Sequence, residues 1–504
     1  MNLKKNIIAN FFGQFYTIII GIVMVPFYLQ YLGAEAYGLV GFFALMQSWM
    51  MLLDMGISPT LGREVAKVRS SVEESVKVVF KKLLHSLEFV FIIVAVIITS
   101  SILLFSFDIS SKWLTIESMD INTVSYCISL MGVMIGLRFL SSLYRSGING
   151  AEEQVWLSTF NIIIVTFKFV GVFLILYFIS TDVLYFFKYQ MIIAIVEFII
   201  LAIKFYKVMD IGRFKLYFSY ESVKPILPFA MGIAYTGGIW ILLTQLDKLL
   251  LSGVLPLAEY GYFALVGMIA NAVLQLMRPI ALAIQPKMVS LIQQGREKEM
   301  IVLYKKATQL MSVIVFSVVA IIGIYSYELL YSWTGNIEAS KWAKDILFWY
   351  VMGNGILTIA AFQYSLQFGY GNLKMHIYYN TFSALISIPL IIWSAYNYGA
   401  TGVAIVWFVF RLVSFLIWTP IVHHKFAPGV HKNWIIKDIM PIFVSTILFI
   451  LLVNYIDFSF DYTRGMIFFL LLTIGFCLLV VNSFVSSEGR KMIINIILGR
   501  KRNV

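Results

Sequence analysis

Apolar stretches of about 17 to 25 residues recur along this chain, separated by short polar loops. A hydrocarbon core about 30 Å thick takes about 20 residues of helix to cross, and in lipid only a helix pairs every backbone N–H and C=O within one segment. The pattern predicts fourteen crossings, near residues 7–30, 38–58, 84–107, 121–142, 157–179, 185–206, 226–253, 260–285, 308–331, 344–368, 379–396, 402–422, 440–456 and 465–484. The expected fold class is an all-α membrane protein.

Charge placement orients these spans. Of 38 Lys and Arg residues, 27 fall in segments that share one side, and only Lys112, Lys341 and Arg464 fall in loops on the other. Short loops rich in Lys and Arg stay cytoplasmic, so both termini are expected inside and the Lys4-Lys5 start reads as an uncleaved first span. The net charge of +12 is therefore a topology signal and not a nucleic-acid footprint. The longest outer loop, about Asp108 to Asn122, is too short for a catalytic domain. Residues 62–83 place Val65, Val68, Val72, Val76, Val79 and Leu83 at steps of three or four, which predicts an amphipathic helix on the inner leaflet.

A faint repeat divides the chain. Ala34–Gly38 follows the first span as Leu257–Gly261 follows the seventh, and Gly13/Gly232, Gly150/Gly369 and Asn161/Asn380 each recur 219 residues apart. The expected organisation is an N-lobe at 1–206, a cytoplasmic linker at 207–224 and a C-lobe at 225–422. An extra helix pair at 439–484 and a basic tail at 485–504 follow. Six spans per lobe keep the two repeats parallel.

Missing motifs narrow the chemistry. There is no Gly-Lys dipeptide, hence no P-loop, and no HExxH or CxxC. Cys127 and Cys477 lie in apolar segments, and the five histidines sit at loops or span ends, so no cofactor and no metal are expected. Ionisable residues at membrane depth are a different matter, since each costs at least about 2.5–3.5 kcal/mol and normally faces protein or water. Arg138, Lys168, Arg278 and Arg411 lie deep in their spans, with Asp247-Lys248 towards the outer end of the seventh. Cations outnumber acids here, which suits an anionic cargo such as a diphosphate. Asp54 and Asp247 are either coupling acids or structural ones, and Pro26, Pro228 and Gly232 are candidate hinges in the first span of each lobe.

Several segments resemble the MOP superfamily of multidrug and polysaccharide exporters, most closely the polysaccharide flippases of the Wzx and PST type. They are Tyr31-Leu32-Gly33 through Tyr37-Gly38, Leu53-Asp54-Met55-Gly56-Ile57 with Arg63-Glu64, Gln245-Leu246-Asp247-Lys248 with Tyr260-Gly261, and Tyr398 through Ala404. The resemblance covers roughly residues 1–425. It implies two six-helix lobes around a cavity with alternating access, in the bacterial inner membrane. The implied cargo is undecaprenyl-diphosphate-linked oligosaccharide for O-antigen, capsule or exopolysaccharide, with a polymerase and a chain-length regulator as membrane partners. By position, the family's cationic cavity falls on Arg138, Lys168, Lys248, Arg278 and Arg411. The last two spans depart from the commoner twelve-span form; a similar pair in the lipid II flippase branch lines a groove for the lipid tail. The rivals are a drug–cation antiporter, which wants unpaired cavity acids, and a membrane glycosyltransferase or polymerase, which wants a large loop.

Overall fold

Backbone pairing inside each segment dominates the architecture: among the described residues there are helices and no strands. The computed structural model describes residues 3–54, 56–71, 73–212, 214–454 and 462–497. Met55, Val72, Arg213, Asp461 and the basic Arg500–Arg502 run lie outside the described residues. Eleven helices among those described are long and apolar enough to cross a membrane. Two further expected spans, Ala34–Leu53 and Val183–Met209, are also helices, the second carrying Lys188, Glu197, Lys204 and Lys207. The chain divides into two compact units, Met1–Gly261 and Tyr262–Val504.

The first unit starts with α1 (Leu3–Leu32), which runs on through Pro26, and α2 (Ala34–Leu53). Next come α3 (Ile57–Ser70), α4 (Glu74–Asp108) and, after a π-turn at Ile109–Trp113, α5 (Ile121–Gly150). Asp120 caps α5 by accepting the Thr123 amide, and that hydrogen bond holds its carboxyl below the usual range. Then follow α6 (Gln154–Thr166), a π-helical stretch at Phe167–Gly171, α7 (Val172–Phe178) and α8 (Val183–Met209). The single turn α9 (Tyr220–Val223) leads into α10 (Leu227–Val254). Pro228 lies in the first turn of α10, where a missing N–H is harmless, and open space surrounds Gly232.

The amphipathic helix expected over 62–83 is two helices. Ser71 is extended, its hydroxyl accepts the Glu73 amide, and α4 starts afresh beyond it; serines compete for backbone groups in this way. α3 also leaves the leaflet surface and packs into the bundle with Leu61 and Val65 fully buried, the Gly62 and Gly150 backbones touching. Asp54 accepts both the amide and the hydroxyl of Ser58, so its carboxylate fixes the corner at which α3 begins.

One end of this unit is closed by the two copies of the repeated motif. A Cβ on Gly38 would strike the Leu257 carbonyl, and one on Gly261 would strike the Ala34 carbonyl. Each glycine therefore makes room for the start of the other motif's helix. A strap from the α4–α5 loop crosses this corner: Trp113 Nε1 donates to Ser252 Oγ (3.0 Å) and Leu257 N to Thr115 O (2.9 Å). Glu35 accepts the amides of Glu117 and Ser118 and the Ser118 hydroxyl.

The second unit takes in most of α11 (Leu257–Gln275), then α12 (Met277–Gln293), α13 (Glu297–Ile324), α14 (Ser326–Thr334), α15 (Ile337–Ala360) and α16 (Phe362–Gly369). The break at Leu276, with Pro279 in the turn beyond it, interrupts the expected eighth span. A 53-residue helical element, α17 (Lys374–Phe426), has non-helical φ 58°, ψ −148° at Gly399, so two helices meet there, as the pattern predicts. After α18 (Val430–Asn433) come α19 (Met440–Val453), α20 (Arg464–Val485) and α21 (Ser487–Ile497). The extra pair packs on α13 and α14 through Ile321, Tyr325, Ile450, Leu471, Ile474 and Leu478. Buried Asn482 ties it down, donating to Ser317 Oγ and Thr446 Oγ1.

Glycine substitution tests the corner. Gly38→Ala puts a methyl group against backbone that cannot step aside and should cost about 1–3 kcal/mol. Gly232→Ala meets open space and should be neutral or mildly stabilising; thermal unfolding of the two variants in detergent distinguishes them.

Candidate functional site

Three helices of the first unit each carry a pair of polar residues seven positions apart: Arg138 and Arg145 on α5, Asn161 and Lys168 on the α6 segment, and Gln190 and Glu197 on α8. Seven residues is close to two helical turns, so each pair shares one face. The faces meet. Glu197, 5% exposed, takes a cation on each oxygen: Arg145 Nη2 on Oε1 and Lys168 Nζ on Oε2, both at 2.6 Å. Arg145 also donates to Asn161 Oδ1 (3.1 Å). The Arg138 guanidinium spans α2, α5 and α8, donating to Gln47 and, at 3.5 Å, to Gln190, with the Phe43 ring 5.0 Å away. Its Nε is buried without a hydrogen-bond partner.

The backbone at Lys168 is adapted to this task. In the π-stretch Phe167–Gly171 the helix widens and displaces carbonyls from their usual partners, a distortion common at functional sites. Side chains take them up: Tyr189 OH donates to Phe167 O (3.2 Å), Gln190 Nε2 to Lys168 O (2.9 Å) and Tyr28 OH to Phe169 O (2.7 Å). Gly171 belongs to the same arrangement, because a Cβ there would overlap the Tyr189 hydroxyl. Two cations thus share one carboxylate inside an apolar bundle, and the neutral amides of Gln47 and Gln190 hold a third, Arg138, beside them.

The other expected cations lie elsewhere. Lys248 is 3.3 Å from Asp247 and donates to Thr244 O (2.7 Å), so this acid and base neutralise each other. In the second unit Arg278 is exposed on α12. Arg411 is buried, with its guanidinium 4.1 Å over the Trp407 ring, whose Nε1 donates to Asn354. Arg138 and Lys168 lie in one cluster with Glu197 and with Arg145, which the span boundaries leave in a loop. Arg145 counts as a loop residue if the fourth span ends near 142, but α5 continues to Gly150. The heptad spacing of all three pairs is the signal that finds it.

Comparison with known proteins now decides the family. A model described as polysaccharide biosynthesis protein matches residues 3–292. The chain belongs to this family. A search of curated proteins finds no match. Among solved structures, a lipid II flippase, MurJ, in an inward closed conformation aligns with TM-score 0.71 at 16% identity, covering 98% of this chain and 100% of that one. A multidrug resistance MATE family transporter of the MOP superfamily, inward-facing, aligns with TM-score 0.67 at 13% identity over 81% of this chain and 94% of its own. A MOP superfamily transporter from Pyrococcus furiosus, described as having a binding pocket of reverse polarity, aligns with TM-score 0.54 at 13% identity, covering 83% and 95%. The fold of this chain is that of these transporter structures.

The π-stretch supplies a stability test. Gln190→Leu removes the partner of the Lys168 carbonyl and one partner of Arg138 together, and should cost more than Tyr189→Phe, which leaves a longer bond unmade. Expected losses are about 2–3 and about 1 kcal/mol. Thermal unfolding in detergent gives the order, and equal losses would show that the π-stretch carbonyls need no such partners.

Proposed function

We propose that this protein flips an undecaprenyl-diphosphate-linked oligosaccharide from the inner to the outer leaflet of the bacterial inner membrane, by alternating access and without a nucleotide. The observation that carries this reading is the N-terminal polar cluster, in which three cations gather among membrane-spanning helices around one acid that pairs with only two of them. An excess of positive charge there is costly unless an anion visits, and a diphosphate linkage is the anion that a lipid-borne sugar presents. A drug–cation carrier would want the opposite excess. On this reading Arg138, Lys168 and Arg145 meet the head group, Arg278 and Arg411 are the cations the second unit would offer it, and Lys248, neutralised by Asp247, contributes least. O-antigen, capsule and exopolysaccharide units all carry the same linkage, and a polymerase would take up the product.

The proposed topology has fourteen spans with both ends cytoplasmic, resting on the 27-to-3 division of basic residues. α19 and α20 have no Asp, Glu, Lys, Arg or His between Met440 and Val453 or between Met466 and Val485, and their outward faces carry exposed Leu448, Leu452, Phe469 and Phe476. Such a pair suits the polyprenyl tail, which stays in lipid while the head group crosses. A reporter fused after Asp461 should then be extracytoplasmic and one fused after Val504 cytoplasmic. A C-terminal reporter found outside sinks the span count.

The energy source follows from the cargo. A diphosphate diester carries about two negative charges outward, and each is worth about 2.3 kcal/mol per 100 mV when the inside is negative. In liposomes with an imposed potential and no ion gradient, flipping of the lipid-linked oligosaccharide should accelerate as the inside becomes more negative. Arg138→Ala should abolish it, and Arg138→Lys should retain part, having the charge without the fork. Flipping that ignores the potential and follows only a proton or sodium gradient would replace this account with ion antiport.

A further inference from the structure

We infer that Glu197 is an exchangeable internal counter-ion: it holds the place of the substrate's anion in the empty carrier and gives up its cations when the anion arrives. The inference rests on the reading of the cluster as the head-group site and concerns how that site resets.

Geometry supplies the argument. A carboxylate and a phosphate present similar oxygens to the same donors. Glu197 offers one oxygen to Arg145 and the other to Lys168, each at 2.6 Å, the way a bridging anion would. The cations stand in front of it: the Arg145 side chain is 33% exposed and that of Lys168 18%, against 6% for Glu197. An arriving anion therefore meets the two cations first, and both have long, flexible stems that can swing from one acceptor to another. Glu197 is fixed on α8 behind them and cannot follow. Arg138, held by Gln47 and Gln190, adds the third positive charge at short range.

The charge count explains why an acid belongs in an anion site at all. Three cations and Glu197 leave a net charge of +2, which a diphosphate diester cancels. Without Glu197 the net charge is +3, and the complex would keep an unneutralised cation in the bundle. It would hold its cargo too well. Binding energy shared equally by loaded and released states slows turnover, whereas a built-in competitor returns part of it when the cargo leaves. The empty carrier also needs Glu197, since Arg145 and Lys168 would otherwise sit at membrane depth unpaired during the return step.

The test uses the full chain in nanodiscs, titrated with farnesyl-diphospho-N-acetylglucosamine, a diphosphate diester on a short isoprenoid, and in liposomes for flipping rate. Glu197→Gln keeps the side-chain shape and should bind the probe about tenfold tighter while its maximal flipping rate falls by a similar factor. KM should fall with it, a split that a merely destabilised protein would not show. Lys168→Met alone should bind more weakly. The double variant Glu197→Gln/Lys168→Met restores the net charge of +2 and should bring affinity and rate back towards wild type, which keeps the test decisive if Glu197→Gln alone folds poorly. If Glu197→Gln binds no tighter while Lys168→Met binds more weakly, the counter-ion role is overturned and the head-group site stands. If Lys168→Met, Arg138→Ala and Glu197→Gln all bind like wild type, the diphosphate does not visit this cluster, and both readings fall.

Discussion

A positive charge inside a membrane protein must be answered by something, and in the N-terminal unit one carboxylate answers for two at once. Glu197 draws α5 and the α6 segment onto α8 through Arg145 and Lys168. Hydrophobic burial gives little direction to helix association in lipid, where apolar contacts are available on every side. Orientation has to come from polar contacts and close-packed glycines. Close-packed glycines act at the corner, at Gly38 and Gly261, and beside the ion pairs and their amides at Gly171.

The apolar pattern made the helices legible because lipid leaves the backbone no alternative. Positions such as Gly399 were legible for a related reason, since a glycine between two apolar runs leaves little choice but a turn, and φ 58° there is its consequence. The amphipathic reading of 62–83 missed the break at Ser71, because valine spacing survives an interruption that only side chain to backbone hydrogen bonding reveals. Arg138 and Lys168 stood out as deep charges. Arg145 did not, because a basic residue near a span end looks like a topology marker until its partner on another helix is known. Which helix faces meet is long-range information, and a single sequence carries it only as matched spacings.

The extra pair α19–α20 follows a different rule from the rest. It has no charge to satisfy within its spans, and one buried asparagine reaches both its own Thr446 and Ser317 of α13. The flank at Asp438 and Glu488 supplies ionic contacts instead: Asp438 pairs with Lys305 at 3.2 Å and Glu488 with Lys306 at 3.6 Å. Fully buried Trp434 donates to Thr308 beside them. At the opposite end Arg464 donates to Trp333 O (3.0 Å), and between the two moorings the pair presents plain hydrocarbon on its exposed face.

The strap across the corner has unequal moorings. On the α2 side Glu35 grips it with a charged group that accepts two backbone amides and a hydroxyl. On the α10–α11 side it hangs by one indole N–H and one peptide bond's amide, both to neutral acceptors. Hydrogen bonds to a charged acceptor are about twice as strong as neutral ones. When the corner parts, the strap therefore travels with α2, and the seam opens along Ser252 and Leu257. One edge of that seam is Trp113, so parting it would bare an indole ring released from its serine.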